Sequence, residues 1–141
     1  MTLVGEIGAG KTTLVRGAAR SLGVTEHVTS PTFTVAQRYA GRVSVSHLDA
    51  YRLAEADDEE IGLALEIAED AVAFVEWPHA LSGAFPDALV AVTIEHGGGD
   101  RRLLTLTSPD PRVEDALRAA IDNAFTRHGN PRSEPGAPHG R

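Results

Sequence analysis

A chain of 141 residues has room for one domain around a single core, and little more. Its net charge of −7 argues against a dedicated nucleic-acid grip, which needs a basic face to displace counterions, and the absence of cysteine removes disulfides and thiolate metal sites. No apolar run approaches a membrane span and no charged-then-apolar signal segment is evident, so a cytoplasmic protein is expected.

In chain order, Thr2-Leu3-Val4 reads as the end of a buried strand. From Lys11 to Leu22 the spacing is helical, with Leu14, Ala18 and Leu22 on one face and Gly23 as the C-terminal stop. The polar stretch VTSPTF leads into two predicted strands, FTVAQRY and RVSVSHLDA, joined at Ala40-Gly41. Residues 55 to 71 are acidic and helix-prone. The run VAFVEW after them fits a buried strand ended by Pro78. ALVAVTIEH and RRLLTLT flank GGGD, the signature of an antiparallel hairpin. Val113, Leu117, Ile121 and Phe125 recur every fourth position, one face of a last helix. The expected domain is 1–126, and 127–141, rich in Pro, Gly, Arg and Ser, reads as a disordered tail. Strand, loop, helix and further strands predict an α/β P-loop NTPase fold, with a mixed sheet of parallel core, an antiparallel edge hairpin and flanking helices.

Gly5 to Thr12 matches G-x-x-x-x-G-K-[ST] without a gap, after a strand and before a helix, the context that motif requires. Gly8, Ala9 and Gly10 let successive backbone N–H groups point into one anion-sized concavity, and the helix start adds its positive dipole end. Lys11 reaches the β- and γ-phosphates, and the Thr12 hydroxyl ligates Mg²⁺. Of 13 basic residues only Lys11 is lysine. A nucleoside triphosphate site follows. An N-K-x-D guanine-reading loop would need a second lysine, which argues against a GTPase, and Leu81-Ser82-Gly83 lacks the context of an ABC signature. A small-molecule kinase stays open, although its arginine-bearing lid would have only Arg101-Arg102 to draw on. So does a nucleotide-binding regulatory module that does not hydrolyse.

Two apolar strands end in acids. HLDAYR places Asp49 where a Walker B acid reaches Mg²⁺ or its water shell, and VEWP ends on Glu76. Plainer readings stand beside these. Asp49 also fits a helix N-cap ahead of Ala50. His47 fits a strand residue satisfied by a neighbour, and Thr29 to Phe33 fits an X-Pro turn. Tyr51 and Trp77 fit packing aromatics, Arg52 a surface ion pair, Glu95 a strand end before a turn, and the acidic segment a solvated helix face.

The loop GEIGAGKTT, then SPTF, then HLDAYR, then EWP resemble in order and spacing the TsaE (YjeE) family of bacterial ATPases, over roughly residues 3 to 108. Glu6 departs from the family's usual Asp, outside the phosphate-contacting positions. The resemblance implies Mg²⁺-dependent ATP hydrolysis that is slow alone. It also implies assembly with the TsaB and TsaD proteins, which modify the adenosine beside the tRNA anticodon, so that tRNA is met only indirectly. It further implies that Lys11, Thr12 and Thr13 serve phosphate and metal, and that Thr32 is a switch residue sensing the γ-phosphate. Asp49 would be the metal-side acid, Glu76 the acid that positions or activates water, and Trp77 a neighbour of the nucleotide. The implied metal set is Thr12, Asp49 and Glu76. Members of this family carry a helix and further strand residues ahead of the loop. A chain shortened at its N-terminus by roughly 20 to 30 residues is therefore expected, its sheet left with an exposed apolar edge.

Overall fold

The computed structural model describes residues 1–31, 34–81 and 88–127. Six strands form one sheet: β1 (Thr2–Gly5), β2 (Ala36–Tyr39), β3 (Val45–Asp49), β4 (Val72–Glu76), β5 (Ala91–His96) and β6 (Arg102–Thr107). Their order is β2-β3-β4-β1-β5-β6. The four middle strands run parallel, and each edge strand is antiparallel to its neighbour. This is the expected mixed sheet with a parallel core and the GGGD hairpin at one edge; β2 adds a second antiparallel edge.

The parallel strands read as apolar runs because they are covered on both faces. All five residues of β3 are buried. Alternate residues face opposite sides of a strand, and the core divides accordingly. Leu3, Val45, Phe74, Val92 and Ile94 pack on one face with α1 (Lys11–Ser21). Leu48 and Val75 pack on the other with α2 (Ala50–Leu53) and α3 (Asp58–Ala68), through Ala50, Leu53 and Ala64. Helix α3 starts later than its composition suggests. Asp57 caps it, accepting from the Glu60 N–H while the Glu60 side chain returns to the Asp57 N–H, and three acidic residues fill its first turn.

The buried line of α1 is Lys11, Val15 and Ala19, one position round from the predicted stripe; Leu14, Ala18 and Leu22 pack at its margin. The rotation follows from the loop, which has to deliver Lys11 inward and so carries the residues four and eight positions later with it. Helix α4 (Pro111–Arg127) packs by Val113 and Leu117, while Ile121 and Phe125 are exposed. Here the four-residue periodicity outruns the covered surface.

Strand β1 is not left at an open edge. Thr2 and Leu3 pair with Val75 and Glu76 on one side, and Thr2 to Gly5 pair with Ala91 to Ile94 on the other. Strands β4 and β5 enclose β1 from both sides, and among the described strand residues the exposed large apolar side chains are Val72 at the start of β4 and Leu103 and Leu104 of edge strand β6. The tail residues from 128 onward lie outside the described residues. Among the described residues, no helix is long and apolar enough to cross a membrane.

Leu3 is 0% exposed at the centre of this arrangement, whereas Leu103 is 58% exposed. Leu3→Ala is expected to cost about 2–5 kcal/mol in denaturant unfolding, and Leu103→Ala no more than about 0.5 kcal/mol. Equal losses would contradict the placement of β1 in the core.

Candidate functional site

The loop between β1 and α1 is shaped by three glycines with two different tasks. A Cβ on Gly5 would come within 2.6 Å of the Ile94 carbonyl oxygen, so Gly5 is required by close approach to β5. Gly8 (φ +77°) and Gly10 (φ +113°) face open space and are required by conformation alone. Gly10 is also the N-cap of α1. No side chain caps that end and no acidic residue occupies its first turn, so the free amide donors and the positive dipole end remain available to an anion.

Lys11 leaves this helix end nearly buried, 6% exposed. Its Nζ donates to the carbonyl oxygens of Gly5 (2.7 Å) and Glu6 (3.0 Å) and lies 4.0 Å from the centre of the Trp77 ring. Burial pulls its pKa below the ordinary lysine value, opposed by the charges of Glu76 and Asp49. Trp77 supplies its ring from a strained backbone, φ +56°, which turns the chain out of β4 into a single 3-10 turn at Pro78–Leu81. Its N–H is bonded to the Leu3 carbonyl oxygen at 3.2 Å.

The two acids meet through strand register. Asp49 and Glu76 end adjacent parallel strands and lie directly opposite one another. Glu76 is 4% exposed, and its Oε1 accepts from Thr12 Oγ1 at 3.2 Å and from His47 Nε2 at 2.8 Å. Asp49 accepts at Oδ1 from the N–H groups of Tyr51 (3.0 Å) and Arg52 (3.3 Å). It therefore caps α2, as the plainer reading held, and also faces the cleft.

That cleft, about 640 Å³, is lined by Gly8, Gly10, Lys11, Thr12, Thr13, Asp49, Glu76 and Trp77, together with Tyr51 and Arg52. Ala9 stands apart from it. Its side chain is buried in the core, its N–H is bonded to the Glu6 carbonyl oxygen, and its own carbonyl accepts from Arg102 Nε at 3.0 Å. Thr32 lies outside the described residues. His47 is a strand residue satisfied by a neighbour, as the plainer reading held; that it belongs to the site was not read from the sequence. Its neighbour is the candidate acid Glu76, and the available signal was the H-x-D spacing, which puts His47 on the same strand face as Asp49. Arg102 was likewise missed as a support for the loop.

A family profile described as Threonylcarbamoyl adenosine biosynthesis protein TsaE matches residues 1–104. The tRNA threonylcarbamoyladenosine biosynthesis protein TsaE of Bacillus subtilis (strain 168) is 38% identical over 131 residues, 92% of this chain and 79% of that protein. The protein of the same name from Treponema pallidum (strain Nichols) is 35% identical over 107 residues, 75% of this chain and 79% of the relative. The crystal structure of Bacillus subtilis YdiB resembles the present fold with a TM-score of 0.69 at 31% identity, over 87% of this chain and 76% of the other.

A lysine whose pKa is lowered by folding weakens the folded state wherever it is charged. The cost is full at neutral pH and is relieved as pH rises through the alkaline window between the lowered pKa and the ordinary lysine value. Lys11→Met is therefore expected to keep or raise the melting temperature at neutral pH, with any advantage shrinking in alkali. A clear fall at neutral pH would show that the Lys11 hydrogen bonds outweigh its desolvation.

Proposed function

This chain belongs to the TsaE family, and on that premise we propose that it is a Mg²⁺-dependent ATPase supporting the TsaB–TsaD complex. That complex would form N6-threonylcarbamoyladenosine next to the anticodon of tRNA. The observation that carries the ATPase reading is the convergence of Lys11, Thr12, Asp49 and Glu76 on one cleft at the uncapped start of α1. The relatives' names supply the pathway. The net charge of −7 suits a protein that meets tRNA through partner proteins rather than by its own surface.

The residues fit the proposed ligands. Among the described residues no three acidic or histidine side chains gather into a metal site of their own. Mg²⁺ does not need one, since it is commonly held by one or two carboxylates together with substrate phosphates and water. Thr12 and Asp49 would hold it, with Oδ1 of Asp49 already engaged by α2 and Oδ2 the oxygen left to serve, and Glu76 beside them. The loop amides and Lys11 would bind the phosphates, Lys11 as a compact charge delivered from a rigid helix start. Mg²⁺-bound ATP supplies the phosphoanhydride bond that water cleaves. Glu76 would orient that water and take its proton on the carboxylate. A kinase reading is less well supported, because Arg102 is spent on the carbonyl oxygens of Ala9, Gly99 and Arg101 rather than offered to a lid.

Glu76→Gln is expected to keep ATP binding by calorimetry while slowing hydrolysis by about 10²–10⁴-fold, since the shape survives and the proton acceptor does not. Binding lost together with rate would make Glu76 structural. Asp49→Asn retains the α2 cap, because Asn caps as well as Asp. It is expected to raise the Mg²⁺ concentration needed for half-maximal turnover without lowering the melting temperature, and an unshifted metal dependence would place the metal elsewhere. ATP turnover should rise when TsaB and TsaD are added, and indifference to both would remove the partnership.

A further inference from the structure

We infer that His47 is a positioning residue that holds the Glu76 carboxylate in its working orientation; the inference rests on the ATPase reading of this cleft. Glutamate has three side-chain torsions, and a proton acceptor is effective only when its oxygens are held in place. Among the described residues two contacts restrain Glu76, both at Oε1. One comes from Thr12, a residue of the phosphate loop. The other comes from the protein interior, where His47 is 0% exposed and its backbone is locked between Gln37 of β2 and Phe74 of β4. With Oε1 pinned from behind, Oε2 is the oxygen left to meet water in the cleft.

The chemistry of the ring supports this over simple packing. A carboxylate oxygen accepts, so the nitrogen 2.8 Å from it, Nε2, carries the proton. Nδ1 is buried with no hydrogen-bond partner among the described residues. A buried nitrogen left unpaired costs free energy that Leu or Phe at this position would not incur. The one return on that cost is the bond to Glu76.

The test combines kinetics with a double-variant cycle, reading kcat for ATP turnover and ATP affinity separately. His47→Leu is expected to lower kcat by about 10–100-fold, the usual loss when a supporting partner is removed, with ATP affinity unchanged. His47→Gln keeps an N–H donor and should recover most of the rate. In the Glu76→Gln background His47→Leu should cause no further loss, because it acts through the carboxylate already removed. An unchanged kcat in His47→Leu, an equal loss of ATP affinity, or losses that multiply in the double variant would each overturn the inference. Should His47→Leu fail to fold, nitrogen NMR of the intact protein decides: a protonated Nε2 supports the role and a bare Nε2 overturns it. If Glu76→Gln alone leaves turnover unaffected, the proton-acceptor role of Glu76 falls and the His47 inference with it, whereas absence of ATP turnover in the unaltered protein would remove the ATPase reading itself, an outcome distinct from any failure of His47.

Discussion

The site depends on one register. Strands β3 and β4 run parallel with Asp49 opposite Glu76, and this pairing turns two acids distant in sequence into neighbours at the carboxyl end of the sheet. Strand β1 pairs Leu3 with Glu76 and then releases the chain into the glycine loop, so loop, helix start and both acids share one rim. Parallel α/β sheets place their ligand crevices at this rim because the strands end there and the helices begin there. Side chains alternate with a period of two. A slip of one residue between β3 and β4 would therefore send His47 and Asp49 to the α2 and α3 face and leave Glu76 without either.

Several features at this rim are unfavourable on their own terms. Lys11 is nearly buried and its charged form is disfavoured by desolvation. Trp77 adopts a left-handed backbone that a non-glycine residue normally avoids, at a cost of order 1–3 kcal/mol. The first turn of α1 has no side-chain cap, and His47 Nδ1 has no partner among the described residues. Each of these carries a local cost. They cluster where an anion, a metal and a water molecule would have to be handled, and the packed strands on either side of β1 hold them there. Helix α3, by contrast, follows ordinary rules, with its capping box and acidic first turn.

The supports of the loop come from far along the chain. Ile94 presses against Gly5, Arg102 holds the Ala9 carbonyl, and the Trp77 ring lies against Lys11. The β5–β6 hairpin thus braces the phosphate loop as well as closing the sheet. Leu103 and Leu104, adjacent on β6 and so on opposite faces of the sheet, are both exposed, while Val92, Ile94 and Leu106 of the hairpin pack in the core.

The amino-acid sequence by itself determined the features that depend on a few adjacent residues. The glycine loop with its single lysine, the helix after it, the hairpin at GGGD and the strands ending in Asp49 and Glu76 were all legible, because turn chemistry, capping and periodicity act over a handful of positions. The α/β class and the family resemblance followed from those pieces in order. Only the tertiary structure decided that β4 and β5 enclose β1, that α1 buries Lys11, Val15 and Ala19 rather than the neighbouring stripe, and that Ile121 and Phe125 are exposed. It also decided that Asp49 caps a helix while facing the cleft, and that the partner of His47 is Glu76. Strand order and register are set by contacts between segments far apart in the chain, whose free energies compete globally, and no local pattern of residues encodes which distant side chain will lie opposite.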